Sequence, residues 1–136
     1  VGSIICSDAD TIHRVHRARK MLGGAMRQSG ILAAAALYAL DHHRDRLVDD
    51  HAHARRIAES LAGIDGVSID PDAVETNIIY FDVQADAATV VELVESHGIR
   101  MLDSGPHTIR AVTSLAVDDS DMDVVCESLP KVLACR

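Results

Sequence analysis

Aromatic side chains are nearly missing from this 136-residue chain, which has no tryptophan, two tyrosines and one phenylalanine. A core must then be built from Val, Ile, Leu and Ala, which the 48% hydrophobic content can supply, and recognition by stacked rings has little to work with. Positive charge is also scarce. Thirteen Lys and Arg stand against 21 Asp and Glu, a net charge of -8. That balance argues against a nucleic-acid partner, because binding a polyanion is driven by counterion release to clustered basic residues. Basic residues do gather between His13 and Lys20, but on one helix face, solvated or turned to a small anion. The three cysteines, Cys6, Cys126 and Cys135, are odd in number, far apart and outside any Cys-x-x-Cys spacing. They read as reduced thiols in a cytoplasmic setting. No signal peptide is visible and no apolar run approaches the roughly 20 residues that span a bilayer, so a soluble chain without a membrane partner is expected.

What the chain does have is a distinctive stretch, MLGGAMRQSGILAAAALYAL, from Met21 to Leu40. Gly23 and Gly24 end a helical pattern that Ser7 and Asp8 cap and that runs over Ala9–Met21. A second helix begins near Gln28–Gly30 and runs to about His43. Its four alanines, Ala33 to Ala36, have high helix propensity and allow close approach to another element or subunit. A third, amphipathic helix is expected over Asp45 to Ala62, with Leu47, Ala54, Ile57, Leu61 and Ile64 on one face and Asp49, Asp50, Arg55, Arg56 and Glu59 on the other. The composition changes at Gly66. Strands are expected at Val67–Asp70, Asn77–Val83, Ile99–Leu102 and Thr108–Leu115. Helices are expected over Ala85–His97 and after Asp118, the last of them kinked or ended by Pro130. The order strand, strand, helix, strand, strand, helix implies a small antiparallel sheet with helices on one side. Val1–Cys6, apolar and small, is expected to form a buried strand. The domain division follows at 1–65 and 66–136. The second part, about 70 residues, is near the size at which a single core is marginal alone.

Two arginines carry the candidate chemistry. Arg27 stands beside the packed, nearly apolar helix: either a structural ion pair at a helix start, or an anion ligand helped by helix N–H groups and nearby glycines. Arg110 lies on a strand otherwise built for burial, with Ile109, Ala111, Thr113 and Leu115 on the opposite face. It is either a sheet-face arginine reaching solvent or a bidentate clamp for a carboxylate. Other chemistries lack their motifs. Gly23-Gly24 has neither the spacing nor the Lys-Ser or Lys-Thr of a P-loop. No His-Glu-x-x-His is present, and His13, His16, His51 and His53 fit exposed polar helix faces, so no metal site is expected. There is no Gly-x-Ser-x-Gly elbow. The only lysines are Lys20 and Lys131, and a helix-end lysine such as Lys20 ordinarily complements the helix dipole.

The run RKMLGGAMRQSGILAAAALYAL, from Arg19 to Leu40, closely resembles the signature segment of the low-specificity threonine aldolases, pyridoxal-phosphate enzymes of the aspartate aminotransferase fold. The similarity continues in register through VGSIICSD, LVDDHAHARRIAESLAGI, VETNIIYFDV and IRAVTSLAV, so it covers essentially the whole chain. The resemblance implies an α/β fold of fold-type I: the C-terminal part of such an enzyme, comprising the end of the large domain with its connecting helices and a small α+β domain. It implies pyridoxal 5'-phosphate as cofactor, with Arg27 and Lys20 at the cofactor site, Lys20 near the active-site entrance and Arg27 reaching the phosphate region across a subunit contact. Arg110 matches the substrate carboxylate clamp. No catalytic residue is expected within this segment, because the family's Schiff-base lysine falls just upstream of Val1. Family members usually have a third glycine at the position of Ala25, and a His and an Asp where Ser114 and Ala116 stand.

The implied reaction is cleavage of a beta-hydroxy amino acid, threonine or allo-threonine, to glycine and an aldehyde by a cytoplasmic homo-oligomer, a dimer or tetramer. The segment alone is expected to be inactive. The alternatives are another pyridoxal-phosphate lyase or an aminotransferase, or a non-catalytic helical oligomerisation module from a truncated gene.

Overall fold

The structure is a computed structural model, and it describes residues 3–134. The chain divides into two compact units, Val1–Asp45 and Arg46–Arg136.

The first unit is a helical pair, α1 (Ala9–Met21) and α2 (Gly30–His42). Asp8 caps α1 by accepting the Thr11 N–H at 2.9 Å and the Thr11 hydroxyl at 2.8 Å. Gly23, at φ +77°, ends it in the left-handed conformation that glycine adopts without a Cβ penalty. Neither helix buries a residue. Ile31, Leu37 and Leu40 of α2 are all more than half exposed, although the helix is apolar all round, the composition of a helix made to be covered. The strand expected at Val1–Cys6 is not formed over its described part. Ser3–Cys6 has no regular structure, Ile4 and Ile5 are exposed, and Val1 and Gly2 lie outside the described residues. A short apolar run carries no pairing partner of its own, and none of the sheet's four strands comes from the first unit.

The second unit holds the core. It comprises α3 (Leu47–Ala62), β1 (Val67–Ser68), a turn of 3-10 helix at Pro71–Ala73, β2 (Ile78–Val83), α4 (Ala87–Glu95), β3 (Leu102–Asp103), β4 (Thr108–Val112) and α5 (Asp119–Leu133). The strands form an antiparallel sheet in the order β1-β2-β4-β3. Alternation along β2 buries Ile79, Phe81 and Val83 and leaves Ile78, Tyr80 and Asp82 outward. On β4, Ile109 and Ala111 are buried in the same way. The buried side chains meet Ala54, Ile57 and Leu61 of α3, Val90 and Val94 of α4, and Met122, Leu129 and Val132 of α5 in one cluster. Complete burial of a side chain such as Leu61 contributes about 1.5–3 kcal/mol. The three helices therefore cover one face of the sheet and the other face is open.

Helix α3 belongs with the sheet by contact, so the compact units part at Asp45, some twenty residues before the composition change at Gly66. Its buried stripe carries Ala54, Ile57, Leu61 and Ile64 as expected, but its N-terminal end departs from the expectation. Asp50, His53, Ala54, Ile57, Ala58 and Leu61 are buried, whereas Leu47 is 48% exposed. Asp50 is carried inward because it lies four residues before Ala54 on the same stripe. Arg46, four residues before it, supplies the counter-charge at 3.1 Å. His53, which the pattern places on an exposed face, is also buried, its Nε2–H donating to Asp119 at 3.0 Å.

Pro130 does not end α5, which continues to Leu133. A proline there removes the N–H that would bond the Cys126 carbonyl one turn earlier. That carbonyl instead accepts the Ser60 hydroxyl of α3 at 3.2 Å. The proline is accommodated by a side-chain donor from the neighbouring helix.

Candidate functional site

In the first unit, the candidate residues gather around the link between the helices. Lys20 is exposed in the last turn of α1. Gly24 follows Gly23 closely against Arg19: an added Cβ would lie 3.1 Å from the Arg19 Cγ and 3.3 Å from its carbonyl oxygen. Ala25, in contrast, has an ordinary backbone, since among the described residues only glycines have positive φ. The position that needs glycine is Gly23, and alanine at 25 adds no backbone strain. Arg27 is exposed in the turn that opens α2. It has no salt bridge among the described residues, so the ion-pair explanation for it finds no acidic partner within them. Helix α2 starts without a side-chain cap at Ser29 and without an acidic residue in its first turn. Arg27 thus stands three residues before Gly30, where the positive end of the α2 dipole begins. This donor set suits a phosphate or another oxyanion.

The second unit places Arg110 at the middle of the open sheet face. In the registers of β2 and β3, Tyr80 and Leu102 lie directly opposite it. Ile78 pairs with Val112 at one end of the face, and Asp82 with Thr108 at the other. The surroundings are largely apolar: Tyr80, Leu102 and Val112 are each about half exposed. The Thr108 hydroxyl donates to Asp82 at 2.6 Å, which occupies the one carboxylate of this face's strand pairs. Arg110 is half-buried, and its Nε–H is buried without a hydrogen-bond partner among the described residues. A guanidinium held among apolar neighbours with an unused donor favours a planar oxyanion such as a carboxylate.

Just past the end of β4, on the helix side of the sheet, is a polar network that the sequence pattern did not disclose. Thr113 is 1% exposed and donates its hydroxyl to the Asp50 carbonyl at 2.7 Å. The Thr113 N–H donates to the Asn77 carbonyl at 3.0 Å, and the Asn77 side-chain amide donates back to the Thr113 carbonyl at 2.7 Å. The strand alternation puts Thr113 on the inward face, but nothing in it points to its partner 63 residues away. The following residues leave the strand. Leu115 is 58% exposed rather than inward, because the strand ends at Val112 and a turn forms in which the Ala116 N–H bonds Ser114 Oγ at 3.3 Å.

The histidines do not come together as metal ligands: among the described residues there is no group of three or more His, Cys, Asp or Glu placed to hold an ion. Among the described residues, no helix is long and apolar enough to cross a membrane. Cys6 is exposed and unpaired. Cys126 is half-buried, and loss of solvation pushes its thiol pKa upward. Cys135 lies outside the described residues.

A family model described as beta-eliminating lyase matches residues 1–84. The chain is homologous to low-specificity threonine aldolases. It is 38% identical over 136 residues to the probable low-specificity L-threonine aldolase 2 of Arabidopsis thaliana, covering 97% of this chain and 38% of that protein. Against the low specificity L-threonine aldolase of Escherichia coli strain K12, identity is 39% over 137 residues, covering 98% of this chain and 37% of the relative. The chain thus spans less than two-fifths of the length of these relatives. A solved structure of MppP soaked with the product 2-ketoarginine superposes with a TM-score of 0.55 at 20% identity, covering 71% of this chain and 30% of the other. That likeness concerns the fold.

Proposed function

Because the chain belongs to the beta-eliminating lyase family, we propose that it serves as the C-terminal segment of a threonine aldolase that cleaves beta-hydroxy amino acids such as threonine to glycine and an aldehyde. The observation that carries the reading is Arg110: a guanidinium on an open, mainly apolar sheet face, with a buried Nε–H that lacks a partner. Its role is to hold the substrate carboxylate by paired charge-assisted hydrogen bonds and so fix the orientation of the bond to be broken. Homology of the whole chain to threonine aldolases supports this assignment over another lyase or an aminotransferase.

Pyridoxal phosphate, when bound, supplies the electron sink for carbon–carbon cleavage. Arg27 and the uncapped start of α2 are the donors proposed for its phosphate, and Lys20 adds positive charge to the same unit. The lysine that joins the cofactor is proposed to come from outside this segment. A C-terminal position, a domain end followed by a small α+β domain, a homo-oligomeric assembly and a cytoplasmic setting belong to the same proposal.

The test is complementation. The chain is co-expressed with the remaining portion of the Escherichia coli relative, supplied with pyridoxal phosphate, and assayed for glycine release from threonine. Turnover that needs both parts and falls by about a hundredfold with Arg110→Ala is expected; two charge-assisted bonds at about 1.5 kcal/mol each amount to that factor. A folded mixture that releases no glycine overturns the proposal.

A further inference from the structure

Arg110 has no side-chain partner among the described residues to hold it in place. Its position is therefore inherited from β4, and β4 is a five-residue strand whose last ladder pair is Val112 with Ile78. Just beyond that pair, the Thr113 N–H and carbonyl bond Asn77, and the Thr113 hydroxyl donates to the Asp50 carbonyl of α3 at 2.7 Å, with the Asn77 carbonyl a longer second acceptor at 3.5 Å. The end of β4, two residues past Arg110, is thereby tied both to the start of β2 and to a helix of the opposite layer. Valine has the same branched shape as threonine and would fill this buried position without a hydroxyl to satisfy. A buried hydroxyl is costly unless bonded, and the shorter of this one's two contacts reaches across to α3.

We propose that Thr113 is a positioning residue for Arg110: its bond to α3 fixes the end of β4 so that the guanidinium is held ready on the open face for a carboxylate ligand. The proposal rests on the reading of Arg110 as the carboxylate clamp, and it adds a residue that contacts no substrate. Asn77 serves the same function from the β2 side. Arg46 supports it at one remove, by neutralising the Asp50 side chain whose backbone carbonyl is the anchor.

The test uses nitrogen-15 NMR of the 136-residue chain, following the side-chain Nε–H signal of Arg110 without ligand and then during titration with acetate. The variants are Thr113→Val, Thr113→Ser and Asn77→Ala, with Val94→Ala as a core control outside the network. Thr113→Val and Asn77→Ala should displace the Arg110 signal, speed its exchange with solvent by about tenfold, and weaken acetate binding by at least about threefold. Thr113→Ser, which keeps the hydroxyl, should restore the signal, and Val94→Ala should leave it in place. An Arg110 signal unchanged in folded Thr113→Val, or moved equally by Val94→Ala, overturns the proposal. Should Thr113→Val fail to fold, Asn77→Ala decides by the same criteria. A wild-type Arg110 signal that does not respond to acetate refutes the carboxylate reading instead, and is read separately from the ligand-free arm.

Discussion

Ser60 should matter to stability only because Pro130 is where it is. The proline deprives the Cys126 carbonyl of its helical donor, and the Ser60 hydroxyl replaces that donor from 3.2 Å away. Ser60→Ala leaves a partly buried carbonyl without a partner, at a cost of about 1–2 kcal/mol, the lower part of the range for an unmet polar group because the bond is only part-buried. Pro130→Ala returns a backbone N–H to the helix, and the interior-helix preference for alanine over proline, about 3 kcal/mol in unconstrained helices, sets the upper limit of the gain. In that background the Cys126 carbonyl has its own helical donor, and losing the Ser60 hydroxyl should cost no more than about 0.5 kcal/mol. Urea unfolding of wild type, both single variants and the double variant, followed by circular dichroism, gives the coupling as a double-mutant cycle. The expected coupling is about 1 kcal/mol. Strict additivity, within about 0.3 kcal/mol, would refute the substitution of Ser60 for the missing backbone donor.

Two further expectations concern ionisation. The Asp118 carboxyl is held below its ordinary value of 3.8, first by the Ser120 hydroxyl and then by the Asp121 N–H, and that of Asp86 likewise by the backbone N–H and then the hydroxyl of Thr89. A lowered folded pKa means that each cap's contribution is complete above the ordinary value and is lost as pH falls through the folded one. Urea midpoints of the second unit should fall on acidification below pH 3.8, and Asp118→Asn should flatten that fall; an identical acid limb in the variant contradicts the cap assignment. At neutral pH, iodoacetamide followed by mass spectrometry should modify exposed Cys6 well before Cys126, whose thiol is half-buried and shifted up by desolvation. Equal rates at the two sites would count against that burial.

Where the sequence was legible, a strong local period made it so. Helix α1 has the bounds expected from its Asp8 cap and Gly23 stop, and the antiparallel sheet with helices on one side follows from the alternation of Ile79, Phe81 and Val83 and of Ile109 and Ala111. What stayed hidden depends on contacts distant in sequence. A charge pattern alone assigns Asp50 and His53 to solvent, yet Arg46 and Asp119 make their burial possible. Pro130 looks like a helix stop until Ser60, 70 residues earlier, is brought beside it. The division at Asp45 comes from packing of α3 against α5 and the sheet, and no composition change marks it. Of the candidate residues, Arg110 was legible as an oddity on its strand, while its buried Nε–H and the Thr113 anchor just past the strand's end required the fold.

The most direct test of the central claim compares threonine with threoninamide, which lacks the carboxylate, in the complemented enzyme. With Arg110 in place, kcat/KM should favour threonine by about ten- to hundredfold, the worth of one to two charge-assisted hydrogen bonds. With Arg110→Ala the preference should collapse to within about threefold. A preference for threonine that survives Arg110→Ala undiminished would show that the carboxylate is held elsewhere and contradict the assignment.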